Sequence, residues 1–96
     1  MIKTEMPDPH ETWIVNNVGL GVEATLRAHL AGLRLLAEAS EPYDIEFAPL
    51  GENWITLVSA LGTWVRGPGR EVRRFLDDWK READETGIAI APYVSR

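Results

Sequence analysis

Tyr43-Asp44-Ile45-Glu46-Phe47, followed after a turn by Trp54-Ile55-Thr56-Leu57-Val58-Ser59, decides the fold class. Successive side chains of a strand point to opposite faces, so Tyr43, Ile45 and Phe47 share one face and Asp44 and Glu46 the other. That alternation predicts a half-buried strand. Pro49-Leu50-Gly51-Glu52-Asn53 has turn composition, and so short a connection predicts antiparallel pairing. The second strand is fairly apolar on both faces, which suits an inner strand or one whose outer face is covered. Ala60-Leu61-Gly62-Thr63-Trp64-Val65 reads either as its extension past a glycine bulge or as an outward turn. Arg66-Gly67-Pro68-Gly69 reads as a break, with Pro68 a candidate first helical residue.

Helical patterns flank this pair. Residues 22–39 contain no proline and repeat apolar side chains at helical spacing. At 100° per residue, Val22, Leu26, His29, Leu30, Leu33, Leu36 and Ala37 share one arc, which is the expected core face. A second apolar strip of Ala24, Ala28, Ala31 and Leu35 remains, and its small residues permit close approach of another element. That strip is either the seat of the second helix or a dimer seam. Ser40-Glu41-Pro42 ends the helix. Residues 70–86 are apolar on one stripe only: Val72, Phe75, Leu76, Trp79 and Ala83. Gly87 supplies the stop. Ile88-Ala89-Ile90-Ala91 reads as a closing strand. Before the first helix, residues 12–18 have strand composition that Asn16 and Asn17 weaken. Residues 1–11, with Pro7 and Pro9, read as an irregular lead-in, so residues 12–96 form the expected single α+β domain.

The order strand, helix, strand, strand, helix, strand resembles the split β-α-β, ferredoxin-like plan: an antiparallel sheet with two helices on one face. The resemblance is architectural. The chain holds no cysteine for a Cys-x-x-Cys metal loop. It lacks the basic-glycine-aromatic motif of RNA-recognition domains. No arginine stands near Gly19-Leu20-Gly21, where an acylphosphatase-like site would need one.

Size and charge narrow the function classes. Ninety-six residues support one core. No run approaches the ~18 apolar residues of a membrane span, and the N-terminus has no signal-peptide pattern, so a cytoplasmic location is expected. The formal net charge is −5, which argues against direct nucleic-acid binding, where a basic excess supplies the affinity. Residues 1–50 carry the imbalance, three basic side chains against eight acidic, while residues 51–96 hold seven of each. No cofactor or metal motif is present.

Four candidate sites remain. His29 is either a catalytic or ligating group or a histidine bonded into the core. Arg66, Arg70, Arg73 and Arg74 gather where a helix N-terminus prefers anions. They form an anion or acidic-partner site, or a solvated face paired with Asp77, Asp78 or Glu46. Of four tryptophans, Trp79 belongs to the core, while Trp54, Trp64 and Trp13 are assigned to the open sheet face or its rim. Tryptophans there are favoured interface anchors. Asp44, Glu46 and Glu52, with Glu41, make an acidic edge. The resulting expectation is a non-catalytic protein-interaction module of the inhibitor, immunity or anti-defence type. It would contact a basic protein, such as a nucleic-acid-binding complex, through Trp54, Trp64, Asp44, Glu46 and Glu52. The alternative is a dimeric small-molecule-binding protein or enzyme, with His29, Arg66 and Arg70 lining a pocket between sheet and helices. A homodimer would use the Ala24/Ala28/Ala31/Leu35 strip.

Overall fold

The computed structural model describes residues 8–16, 20–50 and 62–95. Along the chain lie β1 (His10–Asn16), α1 (Val22–Glu38), β2 (Glu46–Pro49), β3 (Gly62–Pro68), α2 (Gly69–Glu85) and β4 (Tyr93–Val94). The fold is α+β, with four antiparallel strands in the order β2-β3-β1-β4 and two helices. β3 pairs along its whole length with β1, from His10 opposite Pro68 to Asn16 opposite Gly62.

The strands depart from the sequence reading in definite ways. β1 starts at His10, so the irregular lead-in ends before residue 11. β2 begins only at Glu46, opposite Arg66; Asp44 and Ile45 run close beside Gly67 without forming a ladder. There the Asp44 N–H bonds to the Glu71 carboxylate instead. Even so, Tyr43, Ile45 and Phe47 all pack on the core, as the alternation requires. The partner of β2 is Gly62–Pro68, the stretch read as unclear or as a break. The strand expected at residues 54–59 lies outside the described residues. Ile88–Ala91 forms no ladder, although Ile88 and Ile90 are buried. The closing strand is instead Tyr93–Val94, opposite Trp13 and Ile14.

Both helices lie on one face of the sheet. His29 of α1 and Phe75 and Trp79 of α2 pack their rings on Phe47, which stands opposite Val65 in the register. In α2 all five residues of the predicted stripe are buried. Its N-terminus is held by the preceding chain: Asp8 accepts from the Arg70 N–H at 2.6 Å and Pro9 from the Gly69 N–H at 2.9 Å. Its C-terminus closes as a Schellman motif. Gly87, at φ +81°, donates to Asp84, and Ile88 donates to Ala83.

The first helix is turned relative to the expected arc. Its buried residues are Thr25, Ala28, His29, Ala31 and Gly32, whereas Val22, Leu30 and Leu33 are exposed. The cause is where the bulk sits. Phe75 and Trp79 are fully buried beneath α1, and Phe47 joins them. Interiors fill to near crystal density, so a helix over large rings must present small side chains. A Cβ at Gly32 would lie 2.5 Å from Phe47 Cζ, and Trp79 Nε1 donates to the Ala28 carbonyl at 2.7 Å.

Two stability measurements follow. Gly87→Ala meets no neighbouring atom, so only its left-handed backbone opposes it; urea unfolding is expected to show a loss of about 1 kcal/mol. Trp79→Phe removes the indole donor and leaves both a void and an unpartnered approach to α1. Its expected loss is about 2–4 kcal/mol in the same assay.

Candidate functional site

His29 is a core residue. It is 3 % exposed, and its Nδ1 lies 2.7 Å from the Thr63 hydroxyl, itself 2 % exposed. Its ring stacks on Phe47 with centroids 4.8 Å apart. Burial disfavours the imidazolium and lowers the pKa to about 4. The histidine is therefore neutral near pH 7, and its structural partner is a β3 hydroxyl.

The four arginines are dispersed. Arg73 pairs with Glu11, whose other oxygen accepts from the Trp13 indole at 2.9 Å. Arg74 bonds Glu71 at 3.0 Å and the Pro42 carbonyl at 3.2 Å, and its guanidinium lies 4.2 Å from the Tyr43 ring centroid. The Arg74 hydrogen bond, then the Asp44 N–H, holds the Glu71 carboxyl below the usual carboxylate range. Arg70 is exposed at the start of α2. The expected partners Asp77, Asp78 and Glu46 are thus replaced by Glu11, brought alongside from β1, and Glu71, three residues before Arg74 on the same helix. No single anion site gathers all four. Nor does a shared His29–Arg66–Arg70 pocket form. Thr63 and Val65 face the helices, and Arg66, of opposite parity, is exposed on the other side of the sheet.

The alanine strip is likewise used inside the fold. Ala28 and Ala31 are buried, and Ala24 and Leu35 pack against the same core. It is not an outward seam, because the rings of α2 and β2 demand the small face of the helix. Trp13 also belongs to the helix side, packed on the core rather than placed on the open face.

The register builds a different surface on the open face. Ala48 stands opposite Trp64, Trp64 opposite Ile14, and Ile14 opposite Tyr93. One apolar row therefore crosses all four strands. None of Ala48, Trp64 or Ile14 packs on the helix-side core. The next row holds Glu46, Arg66 and Thr12. The Arg66 guanidinium carbon sits 4.9 Å from the Trp64 ring centroid, and its Nε donates to the Thr12 hydroxyl at 3.2 Å. The Asn16 amide donates to the Tyr93 hydroxyl at 3.1 Å. Asp44 and Glu46 are exposed beside this face, while Trp54 and Glu52 lie outside the described residues. Ile14, Ala48 and Tyr93 escaped the sequence reading. Their signal was parity: each aligns with Trp64 once β3 is placed.

Elsewhere, Trp13, Arg73, Leu76, Asp77, Lys80 and Pro92 line an open groove between α2 and the C-terminal chain. No group of histidine, aspartate and glutamate side chains that could hold a metal ion occurs among the described residues. None of the described helices is long and apolar enough to cross a membrane. No protein-family model matches the chain, and neither a curated protein nor a solved structure matches it.

The buried histidine makes stability depend on pH. Its folded pKa lies below the ordinary 6.5, so the unfolded chain takes the proton first on acidification. Stability is therefore lost as pH falls from about 6.5 towards 4, by about 3 kcal/mol from this group. Urea unfolding at pH 7 and pH 4 checks this against His29→Asn. The variant is less stable at pH 7, and its additional acid loss is expected to be smaller than wild type by about that amount.

Proposed function

We propose that this chain is a non-catalytic protein-binding module on the split β-α-β, ferredoxin-like plan, and that it docks a basic protein through the open face of its sheet. The strand order β2-β3-β1-β4, with a helix after β1 and after β3, supports that plan. The observation that carries the functional reading is the row Ala48–Trp64–Ile14–Tyr93, set on the side of the sheet away from both helices. A half-buried tryptophan with an arginine over its ring, in a flat apolar row, has the composition of an interface anchor. Glu46 and Asp44 lie beside the row, and the chain carries a net −5, so a basic partner is steered towards it. Such a module needs surface complementarity and no reacting group. This matches the way His29, Arg73 and Arg74 are bonded within the fold. Inhibitors, immunity proteins and anti-defence proteins belong to this physical class, and a nucleic-acid-binding complex is a partner of suitable charge.

One feature favours the small-molecule alternative: the groove beside Trp13, with Arg73 and Lys80 on its wall. Affinity capture from the native cell, followed by mass spectrometry, separates the two readings. Trp64→Ala is expected to weaken capture of the partner about 30-fold, a loss typical of an interface anchor, while leaving the far-ultraviolet circular dichroism unchanged. Equal capture by wild type and by folded Trp64→Ala would overturn the sheet-face reading.

A further inference from the structure

The groove between α2 and Pro92 sets free charge beside an apolar floor. Trp13, Leu76 and Pro92 supply its apolar lining, and Arg73, Asp77 and Lys80 its polar one. Residues 73, 76, 77 and 80 follow the three-and-four spacing of a helix, so one side of α2 forms a complete wall. The floor is pinned. The Trp13 indole N–H donates to one Glu11 oxygen at 2.9 Å, and the other Glu11 oxygen holds Arg73. The groove measures about 220 Å³, below the ~300–1,000 Å³ of pockets for drug-sized molecules, so its size suits a small metabolite.

We propose that this groove binds a free α-amino acid with a large apolar side chain. The ligand ammonium would sit on the Asp77 carboxylate and the ligand carboxylate on the Lys80 ammonium. Its side chain would lie against Trp13, Leu76 and Pro92. A ring there gains from contact with the indole beyond simple burial.

Charge selects the occupant. Glu11 cancels the charge of Arg73. Asp77 and Lys80 are exposed, and neither forms an ion pair with a described residue, although they stand three apart on one helix. The neighbouring acid, Asp78, is taken by Arg81. One free anion and one free cation therefore remain beside the apolar floor. A plain anion would be repelled by Asp77, in a chain that already carries −5. A plain cation would meet Lys80. A zwitterion answers both charges, and an apolar body answers the floor. Trp13 faces the helices and Trp64 the opposite side of the sheet, so this inference does not rest on the sheet-face reading.

Titration of the full chain with L-phenylalanine, followed by nuclear magnetic resonance, tests it. The Trp13 indole N–H signal is expected to shift saturably, with a dissociation constant of about 1 mM. N-acetyl-L-phenylalanine lacks the ammonium and L-phenylalaninamide lacks the carboxylate. Each is expected to bind about fivefold more weakly, the worth of one exposed charge pair, and glycine to give no shift. Asp77→Asn should abolish the preference over the acetyl compound, and Lys80→Met the preference over the amide. Glu38→Gln makes the same charge change as Asp77→Asn on the exposed side of α1 and should preserve both preferences. No saturable shift, equal binding of the three phenylalanine compounds, binding of glycine as tight as that of phenylalanine, or preferences that survive both groove substitutions would each overturn the proposal. Partner capture is read separately through Trp64, so failure of one site leaves the other standing.

Discussion

The structure depends on how closely α1 can approach Trp79. The indole is fully buried and its N–H bonds the Ala28 carbonyl at 2.7 Å. A helix carbonyl can come so near a tryptophan ring only where the intervening side chains are small, and here they are Ala28, Ala31 and Gly32. Phe47 fills the rest of the space, in ring contact with His29, Phe75 and Trp79. Large rings on α2 and β2 and small residues on α1 are therefore one constraint seen from two sides. Dispersion contacts across such a fit are individually slight and collectively large.

The same constraint fixes what the molecule shows to solvent. Once the small face of α1 is turned inward, Val22, Leu30 and Leu33 are left facing out, while Leu35 and Leu36 still reach the core from its edge. The parity of β3 makes a second partition. Thr63 and Val65 serve the helix side, and Trp64 and Arg66 the other. Among the described residues two apolar surfaces result, one on each side of the sheet, with bonded polar groups at their margins. His29 is held by Thr63, Arg73 by Glu11 and Arg74 by Glu71. Residues that looked chemically promising along the chain are the ones the fold consumes.

How legible this was depended on how many sides each element buries. The second helix could be read directly, because Val72, Phe75, Leu76, Trp79 and Ala83 are its only apolar stripe and Gly87 its only stop. The first helix could be located but not oriented. Both of its sides are apolar, and hydrophobicity alone favours the leucines, whereas the volume of Trp79, far along the chain, selects the alanines. Gly62 reads as a bulge or an outward turn and Gly67-Pro68 as a break, yet they bound the strand that lies between β1 and β2. Long-range pairing overrode a local turn signal there. The open-face row was partly legible through Trp64. Ile14, Ala48 and Tyr93 join it only through the register, which a single sequence does not carry. The pairing of Arg73 with Glu11 was equally out of reach, since residues far apart in the chain meet there.

Gly32→Ala tests the central fit most directly, because ordinary helix energetics and this packing predict opposite signs. In a helix interior, alanine in place of glycine normally stabilises by about 1 kcal/mol. Here the new Cβ would lie 2.5 Å from Phe47 Cζ and 3.2 Å from Trp79 Nε1, and three neighbouring rings hold Phe47 in place. Urea unfolding is therefore expected to show a loss of about 1–3 kcal/mol, the usual cost of overpacking a filled core. An increase in stability would contradict the account: α1 would not rest on Trp79 by its small face, and the surfaces derived from that orientation would have to be redrawn.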